Sequence, residues 1–247
     1  MYRQRLCYNQ PALIRTVFLV LFYVILVILI TPFILLCMLV GLRDPLIAVG
    51  RWAMRVSRRV LGIKVEISGL DRIAPRTACI FMPNHASFLD GPLVMMLIPG
   101  AARAILKKSV LRIPVVGIVM RFVGFIPVDR KGAEGGKRSI VRAASLMRER
   151  GYSFLVFPEG TRSRDGNLQA FRRGGFFLAF ASGAPIVPVT IGGTFELMPK
   201  GQWYARPGRV SVVFHEPVPV AGTTPQTMAE LMEHARRVIL SGISAGT

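Results

Sequence analysis

From Val17 to Leu42 the chain reads VFLVLFYVILVILITPFILLCMLVGL and carries no charge. A helix needs about 20 apolar residues to cross a hydrocarbon core, so this run is long enough to span one. A cleaved signal peptide has an apolar core of only about 7 to 15 residues, and the pattern therefore predicts a retained anchor. Pro32 allows two courses, a kinked spanning helix or a turn that dips into one leaflet and returns. Residues 45–61, PLIAVGRWAMRVSRRVL, follow a different pattern. At about 100° per residue, Arg51, Arg55, Arg58 and Arg59 share one narrow arc, and Leu46, Val49, Trp52, Ala53, Val56 and Val60 fill much of the rest. This is the pattern of a basic amphipathic helix lying in a membrane interface. The competing reading is a surface helix of the globular body with solvated arginines.

After Gly62 the texture changes to short, β-rich apolar runs that alternate with helical ones. Strands are expected at 64–68, 77–82, 102–106, 123–128, 153–157, 186–191 and 210–214, and helices near 88–98, 115–121, 136–150 and 172–182. A closing helix over 225–240 is capped by Thr224, with Pro225 in its first turn and Met228, Leu231, Met232, Ala235, Val238 and Ile239 at core spacing. The alternation predicts an α/β body with a mixed, mostly parallel central sheet flanked by helices. The expected division is a membrane anchor with a basic amphipathic helix over 1–61, followed by the α/β domain over 62–247.

Charge and composition narrow the partners. Thirty-two basic residues against 13 acidic ones give a net charge of +19, which calls for a polyanionic partner. Nucleic acid, anionic lipid and phosphorylated substrates all qualify. The positive mean hydropathy favours a membrane surface and argues against nucleic acid. Basic residues flank both ends of the apolar run, and their balance favours a body on the cytoplasmic side. Cys7, Cys37 and Cys79 are odd in number and lack C-x-x-C spacing, and His85, His215 and His234 share no metal-ligand spacing. Neither a disulfide framework nor a metal site is expected. The segment 242–246 fits G-x-S-x-G, but a helix precedes it and no acid or histidine follows, so a serine-hydrolase reading is set aside.

Candidate chemistry gathers in three segments. In NHASFLD, residues 84–90, His85 stands five residues before Asp90. A histidine with a carboxylate partner suits removal of a proton from a hydroxyl near neutral pH. On one continuous helix the two would lie about 140° apart, so a turn must intervene, with Asn84 and His85 in a loop and a helix starting around Ser87. A loop at the carboxyl end of a strand is where open α/β sheets carry their sites. The alternative is a capping or surface histidine beside a first-turn aspartate. In FPEGTRS, residues 157–163, glycine permits close backbone approach, threonine offers a hydroxyl, and arginine offers a fork that matches phosphate. A charged turn in which Glu159 and Arg162 pair with each other is the competing reading. In the third segment, Lys107, Lys108 and Arg130 bracket an apolar helix and strand, and Arg130 stands directly after a buried-looking strand.

Together, NHASFLD, GFIPVDR, FPEGTRS and IVPVTI resemble, in order and interval, the four blocks of the glycerolipid acyltransferase superfamily over residues 62–195. The resemblance is strongest to its 1-acyl-sn-glycerol-3-phosphate acyltransferase branch. It implies that His85 is a general base and Asp90 its orienting carboxylate. It also implies that Arg130, Glu159, Gly160, Thr161 and Arg162 shape a site for a phosphorylated acceptor, with Lys107 adding a phosphate contact. The implied reaction is acyl transfer from a thioester to lysophosphatidic acid, giving phosphatidic acid. Acyl-CoA or acyl-acyl carrier protein would be the co-substrate, with no bound cofactor and no metal, and membrane phospholipids would be the surrounding partner. Backbone N–H groups near the helix start are the expected oxyanion donors. Sister acyltransferases using another lysolipid or glycerol 3-phosphate, and a non-catalytic lipid-binding membrane protein, are the alternatives.

Overall fold

The computed structural model describes residues 10–128, 133–220 and 227–245. Its frame is a seven-stranded sheet whose spatial order is β1 (Ile63–Ser68), β7 (Gly208–Phe214), β6 (Ile186–Gly192), β2 (Ile80–Pro83), β5 (Ser153–Leu155), β3 (Ala102–Lys107) and β4 (Ile126–Val128). Five neighbouring strands, β6 through β4, are mutually parallel. Strand β7 pairs antiparallel with β6 and parallel with β1, which makes the sheet mixed. All seven expected strands are present, and β2, β4 and β5 are shorter than the apolar runs that announced them.

Parallel strands covered on both faces read as continuous apolar runs, and β2 and β6 do so. Within β2, Phe81 points toward α3 (Asp90–Leu97), while Ile80 and Met82 point toward α5 (Ala133–Arg150) and α6 (Gly174–Ser182). Alternating side chains thus feed two separate cores. One core joins Phe81, Leu155, Val187 and Val189 to Leu93, Val94 and Met95 of α3. The other joins Ile80, Met82, Phe154 and Ile186 to Ala143 and Met147 of α5, Phe176 and Leu178 of α6, and Ala235 of α8 (Met228–Ala245). The serine of 242–246 lies in α8, so the strand-turn-helix geometry of a hydrolase elbow is absent there. The expected capping residues Thr224 and Pro225 lie outside the described residues.

Helix α1 (Gln10–Val40) is continuous through Pro32, so the chain does not turn back at that position. At 1.5 Å per residue its 31 residues extend about 46 Å, longer than a hydrocarbon core of about 30 Å. It is long and apolar enough to cross a membrane, and only 11% of its most apolar stretch is buried within the protein. One side packs along α2 (Asp44–Val60): Phe22 meets Trp52, the Tyr23 hydroxyl lies 2.7 Å from Ser57 Oγ, and Ile34 and Cys37 pack with Leu46.

The arginine arc of α2 departs from the expectation of a face given over to lipid head groups. Arg51 Nη2 donates to the carbonyls of Ile98 and Gly100 at 2.9 and 2.8 Å, and Arg58 Nη1 donates to the carbonyl of Ile63 at 3.1 Å. Those carbonyls end α3 or open β1 and would otherwise be short of donors, so two arginines bolt α2 to the sheet domain. Arg55 and Arg59 remain exposed.

Phe154 sits at the middle of β5 with no exposed surface. Phe154→Ala is expected to cost about 3–5 kcal/mol, measured as the shift of the urea unfolding midpoint of the detergent-solubilised protein.

Candidate active site

Strand β2 ends at Pro83, and the next residue fixes where the chain goes. Asn84 Nδ2 donates to the Ile191 carbonyl at 2.9 Å, and the Ile191 N–H donates back to Asn84 Oδ1 at 2.7 Å. This two-way amide clamp ties the loop over 84–89 to β6. Helix α3 then begins at Asp90, three residues later than the sequence suggested, because residues 85–89 turn back around the Asp90 carboxylate. Asp90 Oδ2 accepts from His85 Nδ1 at 2.8 Å, from the Ala86 N–H at 2.8 Å and from the Ser87 N–H at 2.7 Å. Asp90 Oδ1 accepts from Thr194 Oγ1 at 2.6 Å, and Thr194 opens the short helix α7 (Thr194–Leu197). Four donors offset the cost of removing this carboxylate entirely from water. The turn that a five-residue spacing requires is therefore present. It leaves the His85 ring 17% exposed.

The second segment closes over the same histidine. Phe157 stacks on the His85 ring at 3.8 Å between centroids and 20° between planes. Glu159 Oε1 accepts the His85 N–H at 2.6 Å, and its Oε2 accepts the Gln169 N–H at 3.0 Å. The Ser163 N–H donates to the His85 carbonyl at 2.7 Å. Both main-chain groups of His85 are thus held by the loop of Phe157–Ser163. The carboxylate of Glu159 is turned into the protein and braces this loop, and burial raises its pKa to about 7. The competing reading, a Glu159–Arg162 pair, is not what this carboxylate makes.

The remaining expected residues divide. Gly160 has φ of +72°, and a Cβ there would lie 2.8 Å from Arg172 Cδ, so both conformation and space favour glycine. Arg162 stands over the Phe88 ring at 5.9 Å, at the mouth of the His85 loop. Lys107 is exposed at the carboxyl end of β3. Arg130 lies outside the described residues.

Two residues that sequence reasoning missed join the group. Thr194 is one; the other is Lys200, whose Nζ donates to Thr161 Oγ1 at 3.3 Å and to the Arg162 carbonyl at 3.1 Å. Ser87 Oγ donates to the Met198 carbonyl at 2.8 Å and draws the 198–200 segment against the His85 loop. The motif M-P-K-G offers no local sign of this. In the loop ahead of α3, the N–H groups of His85, Ala86, Ser87 and Leu89 go to Glu159, Asp90, Asp90 and Ser87 Oγ. Among the described residues no cluster of three or more His, Cys, Asp or Glu side chains could hold a metal ion.

The family model described as Acyltransferase matches residues 64–192, a stretch containing His85, Asp90 and the Phe157–Ser163 loop. The chain belongs to the acyltransferase family. Over 157 residues it is 35% identical to a chloroplastic 1-acyl-sn-glycerol-3-phosphate acyltransferase of Brassica napus, covering 63% of this chain and 45% of the relative. Over 180 residues it is 30% identical to the human 1-acyl-sn-glycerol-3-phosphate acyltransferase alpha, covering 73% of this chain and 64% of that one. The chain spans about half the length of the first curated relatives it matches. The crystal structure of the 1-acyl-sn-glycerophosphate (LPA) acyltransferase PlsC from Thermotoga maritima superposes with a TM-score of 0.79 at 25% identity. That alignment covers 95% of this chain and 96% of that chain.

The raised pKa of Glu159 makes stability depend on pH with a fixed sign. The folded state holds this proton more tightly than the unfolded state, whose value is 4.5. The contribution is therefore present below pH 4.5 and lost as pH rises through about 7. Unfolding midpoints from pH 5 to 8 should fall more steeply in the wild type than in Glu159→Gln, whose amide does not titrate; parallel profiles would refute the assignment.

Proposed function

We propose that the chain transfers an acyl group from an acyl thioester to the sn-2 hydroxyl of lysophosphatidic acid, giving phosphatidic acid. The observation that carries this reading is the 2.8 Å contact between His85 Nδ1 and the buried Asp90 carboxylate at the carboxyl edge of the sheet. The names of the relatives point the same way. Asp90 holds the tautomer in which Nδ1 carries a proton, so Nε2 is the base. As Nε2 takes the acceptor's hydroxyl proton, the oxygen attacks the thioester carbonyl. The tetrahedral intermediate then collapses, the C–S bond breaks, and the imidazolium returns the proton to the departing thiolate. No covalent enzyme intermediate is required.

Asp90 and Thr194 orient the base, and Glu159 and Phe157 position the loop that carries it. Gly160, Thr161 and Arg162 form the side of the site suited to the acceptor phosphate, with Lys107 and Arg130 completing it in this reading. Residues 1–61 act as the membrane anchor and 62–247 as the catalytic domain, working on the cytoplasmic side. Acceptor and product both stay in the bilayer, which gives the exposed apolar surface of α1 a purpose. The donor is acyl-CoA or acyl-acyl carrier protein, and the basic surface suits the acidic groups of either.

His85→Ala should abolish acyl transfer to lysophosphatidic acid in a micellar assay while the protein still sediments with membranes. Near wild-type turnover would remove His85 as the base. Arg162→Ala should raise the KM for lysophosphatidic acid about tenfold or more, the scale of a lost charge-assisted contact, and should leave that for monoacylglycerol nearly unchanged. Equal effects on both acceptors would remove the phosphate role, and preference for glycerol 3-phosphate in the same panel would reassign the acceptor.

A further inference from the structure

A second concentration of positive charge lies away from His85. Asp44, Ala48, Arg51 and Arg55 recur along one side of α2 and face the turn between α3 and β3. With Gly100 and Arg103 they enclose a cleft of about 320 Å³. Arg103 is fully buried at the start of β3. Its guanidinium lies 4.0 Å over the Tyr152 ring, its Nε donates to the Val123 carbonyl, and Nη1 donates to the Ala102 carbonyl at 3.0 Å. Arg51 reaches the Ile98 and Gly100 carbonyls through Nη2, but among the described residues its buried Nε has no acceptor. Arg55 is exposed at the rim.

The charge in this cleft is not balanced. Three guanidiniums meet one carboxylate, that of Asp44, which is 85% exposed and 3.5 Å from Arg103 Nη2. A pair that long with so exposed an acid offsets little. Burial, followed by repulsion from Arg55 and Arg103, lowers the proton affinity of Arg51. Such crowding is costly for a fold unless an anion relieves it.

The cleft is also distinct from the candidate active site. Arg103 pairs with Phe154, which pairs with Ile80, so the cleft is level with the start of β2. His85 lies beyond the opposite, carboxyl end of β2, whose three further residues to Pro83 extend about 10 Å at about 3.3 Å per residue.

We infer that this cleft is a second, non-catalytic binding site for a phosphate group, held by Arg51 and Arg55, with the buried Arg103 adding positive charge behind them. Guanidinium forks match phosphate oxygens in pairs, and a concave site of this size holds one such group. The phosphate can come from an anionic phospholipid, because α2 joins directly to the end of the apolar helix α1, or from a soluble phosphate. In either case the anion clamps α2 to the turn between α3 and β3 and stiffens the junction between the N-terminal helices and the sheet.

Thermal unfolding of the full chain in a neutral detergent tests this. One arm adds inorganic phosphate, with sodium chloride of equal ionic strength as its control. The other dopes the micelles with phosphatidylglycerol, with phosphatidylcholine as its control. At least one anion should raise the melting temperature by about 3 °C beyond its control. A response to phosphatidylglycerol alone assigns the lipid source, and a response to phosphate alone assigns the soluble one. Arg55→Gln, at the exposed rim, should lose most of the shift while keeping wild-type acyl transfer in phosphatidylcholine micelles. Asp44→Asn should enlarge the shift. No shift beyond either control, a full shift in Arg55→Gln, or loss of acyl transfer in that variant would each overturn a separate phosphate site.

Discussion

The rest of the site depends on one buried carboxylate. Asp90 has no exposed surface, and an ionised group in that position survives only if its oxygens are occupied by donors. Its four partners come from two parts of the chain: the His85 ring with the main chain at Ala86 and Ser87, and the hydroxyl of Thr194 more than 100 residues away. Satisfying this one group bends the loop after β2, delays the start of α3, and draws the turn after β6 into place. The same hydrogen bonds turn His85 so that Nδ1 faces inward and Nε2 outward. The stability of the loop and the orientation of the imidazole therefore follow from the same contacts.

A second buried acid repeats the principle at one remove. Glu159 accepts the main-chain N–H of His85 and that of Gln169, and it sits where burial raises its pKa to about 7. Asp90 fixes the imidazole, whereas Glu159 fixes the peptide that carries it. Between them the two acids use the N–H groups of His85, Ala86 and Ser87, which leaves that stretch of backbone with a structural task. Lys200 performs a similar service for the Thr161 and Arg162 loop, through one hydroxyl and one carbonyl.

The N-terminal helices are joined to this machinery more closely than a simple tether would be. Leu19 of α1 belongs to the same core as Phe81 and Leu93, and Arg51 and Arg58 of α2 hold carbonyls at the end of α3 and the start of β1. The apolar surface that α1 leaves exposed and the polar grip that α2 exerts on the sheet domain are two sides of one layer. Helix α2 thereby holds the far end of α3, the helix that begins with Asp90.

Much of this was legible in the sequence, for a local reason. Apolar runs of β-branched residues recur at strand length, and helical periodicity fills the gaps between them. The seven strands, the α/β alternation and the 31-residue apolar helix follow from patterns within a few residues of each other. The pairing of His85 with Asp90 was legible through the resemblance of the four blocks, since the five-residue spacing by itself fits a capping histidine equally well. The contributions of Thr194 and Lys200 were not, since each acts through a single hydrogen bond or two across more than 30 residues, which leaves no periodic trace. The burial of Glu159 and the inward grip of Arg51 were hidden for the same reason: a charged residue in a polar segment reads as solvated until its neighbours are known. Sequence alone determined which elements form and which residue types gather at the sheet's edge. Only the tertiary structure decided which charges face solvent and which are buried, because that choice depends on donors and acceptors that distant strands bring together.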